Sequence, residues 1–299
     1  MTAKPLTIAI TGAGGNLGSK LAAHLVTRDW CTRIFALDRH PLPEALTGGK
    51  IAPVIADIAN ANDRRWHEAA DSADAIVHCA AQNPAPNSDW SEAAGAFDMT
   101  MNLLLRAQKH KCRFIFASSN HAMGGYKDAT IPGSGLISGD TPPLPGTRLF
   151  NGVEYLSSFA YGSSKLMGER ACLAVAEASG GRLTAVSTRI GWCMREPNRP
   201  DRIVASGGTR PKSPATADAA QAERDLTWFR NMWLSDRDLT GQFEAAILAD
   251  SSRWPAPAVV VSAVSGNSGT LWDVDEVKRF LGYVPQDDVW VELKKLGVV

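Results

Sequence analysis

The chain has 299 residues, 44% hydrophobic and 21% charged, with Lys+Arg and Asp+Glu each totalling 31. That length buries a sizeable core in one large domain or two smaller ones, and the balanced charge excludes a basic field for nucleic acid or an anionic membrane surface. No apolar run reaches the roughly 20 residues that span a bilayer, and the five cysteines (Cys31, Cys79, Cys112, Cys172, Cys193) show neither a Cys-x-x-Cys pair nor metal-ligand spacing. These features predict a cytoplasmic protein with free thiols, no metal site, no nucleic-acid partner and no membrane partner. The first strand begins within about six residues, which leaves no room for a targeting leader.

In chain order, the first apolar run, 6–10, breaks at Thr11-Gly12-Ala13-Gly14-Gly15-Asn16-Leu17-Gly18 and resumes with Leu17, Leu21 and Leu25 on one helical face. It reads as strand, phosphate loop and helix. Gly12 permits the tight turn, Gly15 lets the backbone approach a pyrophosphate, and Gly18 lets the helix pack on the sheet. The helix N-terminus at Asn16 and Leu17 then faces the phosphate charge. A glycine turn without a ligand would carry the same triplet, but here an acid, Asp38, ends the next apolar run, 33–37.

Further apolar runs at 51–56, 75–78, 113–117 and 183–188 alternate with helical patterns at 16–28, 91–109 and 163–178. The alternation predicts an α/β fold, a doubly wound parallel Rossmann sheet with a small C-terminal substrate-binding lobe. The carboxyl ends of such strands line the ligand crevice. They carry the glycine loop, Asp38, Asp57-Ile58, His78-Cys79-Ala80-Ala81, Ser118-Ser119-Asn120-His121 and Arg189-Ile190-Gly191. The stretch 124–158, rich in Gly, Pro, Ser and Thr, falls between two of these sites and is expected to cover them. The stretch 195–224 carries Arg195, Arg199, Arg202, Arg210 and Lys212, for which a solvated loop is the default reading. An aromatic segment at 228–233, a helical pattern at 242–248, a strand at 258–262 and a closing helix at 273–281 follow. The division is a dinucleotide-binding domain over 1–190 and a substrate-side lobe over 191–299 with interspersed sheet elements. That lobe is expected to lack a core of its own.

Tyr161-Gly162-Ser163-Ser164-Lys165 opens a helix, and the spacing of four stacks the tyrosine and lysine on one face. A phenol of reference pKa about 10 is a poor base at neutral pH, and a nearby ammonium lowers that value, so Tyr161 is predicted to accept a proton from a substrate hydroxyl. With the glycine loop, Asp38, Asp57-Ile58, His78…Ala81, Ser118-Ser119 and Arg189…Gly191 in this order, the chain resembles the extended short-chain dehydrogenase/reductase superfamily, the NAD-dependent epimerases and dehydratases. The resemblance implies Ser119 as hydroxyl partner of the substrate oxygen, Tyr161 as general acid/base and Lys165 on the nicotinamide ribose, so Tyr161 and Lys165 touch the cofactor as well. It implies Asp38 on the adenosine ribose, where its charge favours NAD over NADP, a preference that Arg39 weakens. Asp57 and Ile58 are expected at the adenine, and Ala80 and Ala81 along the cofactor. An asparagine usual in the helix after the fourth strand aligns with about Ala96, so its contact is missing or supplied by another group.

Ser118-Ser119-Asn120-His121, Arg189-Ile190-Gly191-Trp192-Cys193, Glu196-Pro197-Asn198 and the run Trp233–Asp238 more narrowly resemble the uronate dehydrogenases. That resemblance implies oxidation of the anomeric C1 hydroxyl of an acidic aldohexose to its lactone. Gln82, Asn83, Asn120 and His121 are expected at the substrate, with a satisfied structural histidine the lesser reading of His121. An arginine just before Trp233, Arg230 first and Arg224 second, is expected to hold the sugar's anion. Trp192 replaces a small hydroxyl residue of those enzymes, and both irregular stretches are longer here. The substrate reading therefore spans a hexuronate and a C6-sulfonated or C6-phosphorylated sugar of the sulfoquinovose or glucose 6-phosphate type. A nucleotide-sugar epimerase or dehydratase that regenerates its NAD is the alternative, and a non-catalytic dinucleotide sensor a third reading. The superfamily's habit of pairing through the tyrosine-bearing helix implies a homo-oligomer.

Overall fold

A computed structural model describes residues 5–81, 88–133, 135–150, 154–195, 198–208 and 219–299. The elements run β1 (Leu6–Thr11), α1 (Asn16–Leu25), β2 (Cys31–Asp38), β3 (Ile51–Ile55), α2 (Arg64–Ser72), β4 (Ala75–His78), α3 (Trp90–Ala107) and β5 (Cys112–Ser119). A 3-10 segment, Asn120–Lys127, leads to β6 (Arg148–Phe150), β7 (Tyr155–Ser157), α4 (Phe159–Ala178) and β8 (Leu183–Ile190). The chain continues through α5 (Ala219–Asn231), α6 (Asp236–Leu248), β9 (Ala258–Ala263), α7 (Asp275–Leu281) and α8 (Val289–Lys295).

Seven strands form one sheet in the order β3-β2-β1-β4-β5-β8-β9, each neighbour parallel. The alternation of strand side chains divides the core. Ile8, Ile10, Ile34 and Ile115 face α1, α6 and α7, whereas Ala9, Phe35, Phe114 and Phe116 face α2, α3 and α4. Both faces of a parallel sheet are covered in this way, which is why its strands read as continuous apolar runs. After β1 the chain winds outward through β2 and β3, then crosses to β4 on the other side of β1. The crevice therefore opens at the carboxyl ends of β1 and β4.

Caps fix several helix starts. Asp63 accepts from Arg65 N at 3.2 Å. Asp89 and Glu92 form a reciprocal capping box, and Ser235 accepts from Asp238 N at 3.0 Å. The two-stranded hairpin β6–β7 is held by Arg148, which pairs with Asp128 and lies 4.4 Å over the Tyr155 ring.

The C-terminal part packs against the segment that follows β5 rather than on a core of its own. Tyr126, Ile137, Trp192, Trp228, Phe229, Trp233, Trp272 and Val289 belong to a third buried apolar cluster. Its residues come from several separated stretches on both sides of residue 191, so no single stretch displays the period that would announce it. The main sheet also takes β9 from beyond residue 191, with the register Ala185↔Ala258 to Ile190↔Ala263.

Candidate active site

One cavity of about 990 Å³ runs from the glycine loop to the third apolar cluster. At its cofactor end Gly12 turns the chain at φ +66°, and an added Cβ would stand 2.9 Å from Ala80 N, so the loop presses against the end of β4. Gly18 does not line the cavity; a Cβ there would fall 2.3 Å from Gly12 O, so its part is to bring α1 against the loop. Gly12, Gly15, Asn16 and Leu17 line the pocket beside Asp38, Arg39, Asp57, Ile58, Ala80 and Ala81. The Asp38 carboxylate accepts from Gly14 N at 3.0 Å and His40 N at 3.1 Å, which fixes it at the end of β2. Asn102, which the sequence reading passed over, donates to Ile58 O at 2.9 Å and holds that loop from α3. Backbone N–H groups at a helix N-terminus, close glycines and an acid one strand away fit a dinucleotide.

His78 and Arg189, strand-end residues expected in the crevice, do not line it. His78 is buried between Thr11 Oγ1 at 2.7 Å and Thr100 Oγ1 at 3.1 Å. Thr100 donates to Ala96 O, so it accepts from Nε2–H, and Nδ1 accepts from Thr11. Burial pushes the His78 pKa down to about 3, so the ring is neutral and braces the glycine loop against α3. Thr100 occupies this bridge one turn beyond Ala96, where the superfamily's asparagine is absent. Arg189 points away from the crevice because neighbouring strand residues alternate faces. It meets Glu169 at 3.0 and 2.9 Å and Ser138 O at 2.8 Å.

Ser119, Tyr161 and Lys165 meet in the cavity. Ser119 ends β5, and its Oγ accepts from His121 N at 3.2 Å. Lys165 donates from Nζ to Ala117 O at 2.8 Å and lies 5.7 Å from the Tyr161 ring centroid. The expected depression of the phenol pKa by Lys165 is not met. Burial raises the Tyr161 phenol above its ordinary value, with the Ser119 hydrogen bond opposing, and burial draws Lys165 itself down to about 8. His121 pairs through Nδ1 with Ser158 Oγ at 2.7 Å and meets the Tyr161 ring edge-on at 5.5 Å. It lines the cavity, and burial holds it neutral with a pKa near 4, lowered to about 4 from its usual value. Asn120 lines the cavity too, donating to Ile190 O at 3.0 Å.

The substrate wall is largely apolar. Leu149, Phe150 and Leu156 of the hairpin, Trp192, Phe229 and Met232 line it. The hairpin lies in the stretch expected to cover the site, but its three-residue strands left no sequence signal. The arginine expectation fails: Arg224 is exposed and bonds Gln221 at 2.7 Å, Arg230 lies 5.8 Å over the Trp290 ring, and neither lines the described cavity. The helical turn of about 100° per residue is the reason, since α5 directs Phe229 inward. Among the described residues the lysine and arginine side chains lining the cavity are Arg39 and Lys165. Gln82, Asn83, Glu196, Pro197, Arg210 and Lys212 lie outside the described residues.

The segment after β8 is strapped to the cofactor helix. Asn16 donates to Cys193 O at 3.1 Å, Lys20 to Met194 O at 2.7 Å, and Arg195 to Gly14 O at 3.0 Å. The run Trp233–Asp238 is scaffold: Asp236 pairs with Lys20 at 2.6 Å, and buried Asp238 accepts from Tyr283, Gln286 N and Asp287 N.

A Rossmann sheet, a glycine loop on its first helix and a Ser-Tyr-Lys group in the same crevice define a dinucleotide-dependent enzyme. The profile of the NAD dependent epimerase/dehydratase family matches residues 8–194, and the chain belongs to that family. NAD is its cofactor. An NAD-dependent glucose-6-phosphate dehydrogenase of Haloferax volcanii is 28% identical over 285 residues, covering 94% of this chain and 93% of its own. Uronate dehydrogenase from Agrobacterium tumefaciens superposes with a TM-score of 0.67 at 23% identity, over 99% of this chain and 89% of that one. MoeE5 in complex with UDP-glucuronic acid and NAD gives 0.65 at 19%, over 96% of each chain. Among the described residues no helix is long and apolar enough to cross a membrane.

Proposed function

We propose that the chain is an NAD-dependent sugar 1-dehydrogenase that oxidises the anomeric C1 hydroxyl of an acidic aldohexose to its aldonolactone. The observation that carries this reading is the meeting of Ser119, Tyr161 and Lys165 in one cavity with the glycine loop and Asp38. Tyr161 as its phenolate takes the proton of the C1 hydroxyl, a form that burial alone disfavours and a positively charged nicotinamide beside it would favour, and Ser119 holds the same oxygen. Lys165 keeps a positive charge beside the phenol and is placed to hold the ribose next to the reacting carbon. When bound, NAD supplies the nicotinamide ring that takes up hydride. Asp38 and the amides of Gly15 to Leu17 would hold its adenosine ribose and pyrophosphate.

The acidic class rests on relatives named for glucose 6-phosphate and for uronates. A hexuronate and a C6-phosphorylated or C6-sulfonated sugar are its members. The test is NADH absorbance with glucuronate, galacturonate, sulfoquinovose, glucose 6-phosphate and glucose. Strong signal with one acidic sugar supports the reading. Glucose turning over as fast as any of them refutes the acidic class. Silence across the panel, with a UDP-sugar converted and no net NADH formed, replaces the reading with an epimerase or dehydratase.

A further inference from the structure

Of the buried side-chain polar atoms without a hydrogen-bond partner among the described residues, three belong to residues that line the cavity: Asn16 Oδ1, Asn120 Oδ1 and Ser206 Oγ. Buried polar groups in folded proteins are almost always paired, so orphans along a cavity wall mark where ligand atoms belong. Asn16 belongs to the cofactor loop and Asn120 to the segment of Ser119. Ser206 belongs to neither, and no sequence motif announces it.

The chain holds this hydroxyl in place. Ile203 is buried in the third apolar cluster. From there the turn closes on itself, with Gly207 N donating to Val204 O at 2.8 Å and Val204 N to Gly208 O at 3.2 Å. Gly207 has φ +75°, and a Cβ on it would fall 2.8 Å from the Phe229 ring, so the turn lies flat against Phe229. Trp192 Nε1 donates to Gly207 O at 3.0 Å from the other side. Both aromatic residues that fix the turn also line the cavity. A serine whose neighbouring glycine is held by two cavity-lining aromatic residues, with its own hydroxyl unpaired, has the construction of a recognition group.

We infer that Ser206 determines sugar specificity: its hydroxyl donates to a substrate oxygen other than the one held by Ser119 and Tyr161, and Trp192 positions it through the Gly207 carbonyl. The inference rests on the sugar reading above. A site that hydrogen-bonds a substrate group discriminates strongly against analogues lacking it, since the protein's partner is then left unpaired. It also gives Trp192 a task that the small hydroxyl residue of the uronate dehydrogenases does not share.

The test measures calorimetric affinity of the five sugars for the NADH-loaded protein, with kcat and KM for whichever sugar reacts. Ser206→Ala is expected to weaken the preferred sugar about tenfold, with kcat within about twofold and NAD affinity unchanged. Trp192→Phe, which keeps the ring and removes the N–H, is expected to weaken it about threefold, and the double variant to bind no worse than Ser206→Ala alone. Unchanged sugar affinity in Ser206→Ala, where the parent chain binds that sugar and reduces NAD with it, overturns the Ser206 assignment alone. Additive losses in the double variant overturn the positioning role of Trp192. A parent chain that binds none of the five sugars and forms no NADH overturns the underlying reading and this one with it.

Discussion

Glu169→Ala probes how the tyrosine-bearing helix is held to the sheet. Glu169 on α4 and Arg189 on β8 have side chains 2% and 1% exposed and meet through two hydrogen bonds of 3.0 and 2.9 Å. Ser118 donates to the same carboxylate at 2.6 Å. Removing the carboxylate strands a guanidinium and a hydroxyl in a dry interior. Breaking a buried pair from one side costs about 3–5 kcal/mol, and with two guanidinium donors and a hydroxyl orphaned together we expect roughly 4 kcal/mol. That is a large share of the roughly 5–15 kcal/mol by which a native protein is stable. Glu169→Leu, Arg189→Met and Ser118→Ala combined removes the stranded guanidinium and hydroxyl, leaves only the Ser138 carbonyl without its Arg189 donor, and is expected to cost less than about 2 kcal/mol. Urea unfolding followed by circular dichroism measures both. A loss below about 1 kcal/mol for Glu169→Ala, or a triple variant as unstable as the single one, would refute the reasoning. Glu169 also favours the Lys165 ammonium, so its loss moves the Lys165 pKa further below about 8.

Tyr161→Phe is expected to reduce NADH formation by roughly 10²–10⁴-fold while NAD affinity, measured by fluorescence titration, stays within about threefold; normal turnover would remove Tyr161 from the chemistry. Gly18→Ala forces a methyl to within 2.3 Å of Gly12 O. It should cost about 1–3 kcal/mol and weaken NAD more than sugar, as read by thermal melting with and without NAD. Glu276 is buried, accepts from Gly139 N at 2.8 Å, and has its pKa raised to about 7 by burial. A raised folded pKa means that its stabilising contribution is complete below its usual value near 4.5 and is lost as pH rises through about 7. Glu276→Gln should therefore flatten the urea midpoint between these pH values and raise it above pH 7; an unchanged pH dependence would show that the acid titrates elsewhere.

The sheet was legible because burial on both faces turns parallel strands into plain apolar runs, as at β4 and β8. The cofactor end was legible for a related reason: its work is done by backbone, and glycines at fixed spacing record where backbone must come close. Helix α2 escaped notice, since Trp66, Ala69 and Ala70 are its buried residues amid charge. Helix α4 starts four residues before its periodic pattern, and Ser158 at its N-cap makes no side-chain cap, its hydroxyl being engaged with His121 and Thr147 N. The substrate wall was the least legible. Phe229, Met232, Ser206 and the hairpin come together only through contacts distant in sequence, and a strand-end rule cannot tell Arg189 from its cavity-facing neighbour Ile190.

The straps from Asn16, Lys20 and Arg195 tie residues 193–195 to the cofactor loop and its helix, while Cys193 and Met194 also line the cavity next to Trp192. They cannot be retuned for a new sugar without also pulling on the loop that receives NAD. On the Ser206 proposal, a change of sugar preference would fall to the stretch that carries that serine, beyond Asn198, which is itself moored to Asp236 and Leu234 O. Linkage makes any such coupling reciprocal: the factor by which bound NAD changes the affinity for sugar is the factor by which bound sugar changes the affinity for NAD. An inhibitor built for one half of this crevice would change its potency with the concentration of the other half's ligand.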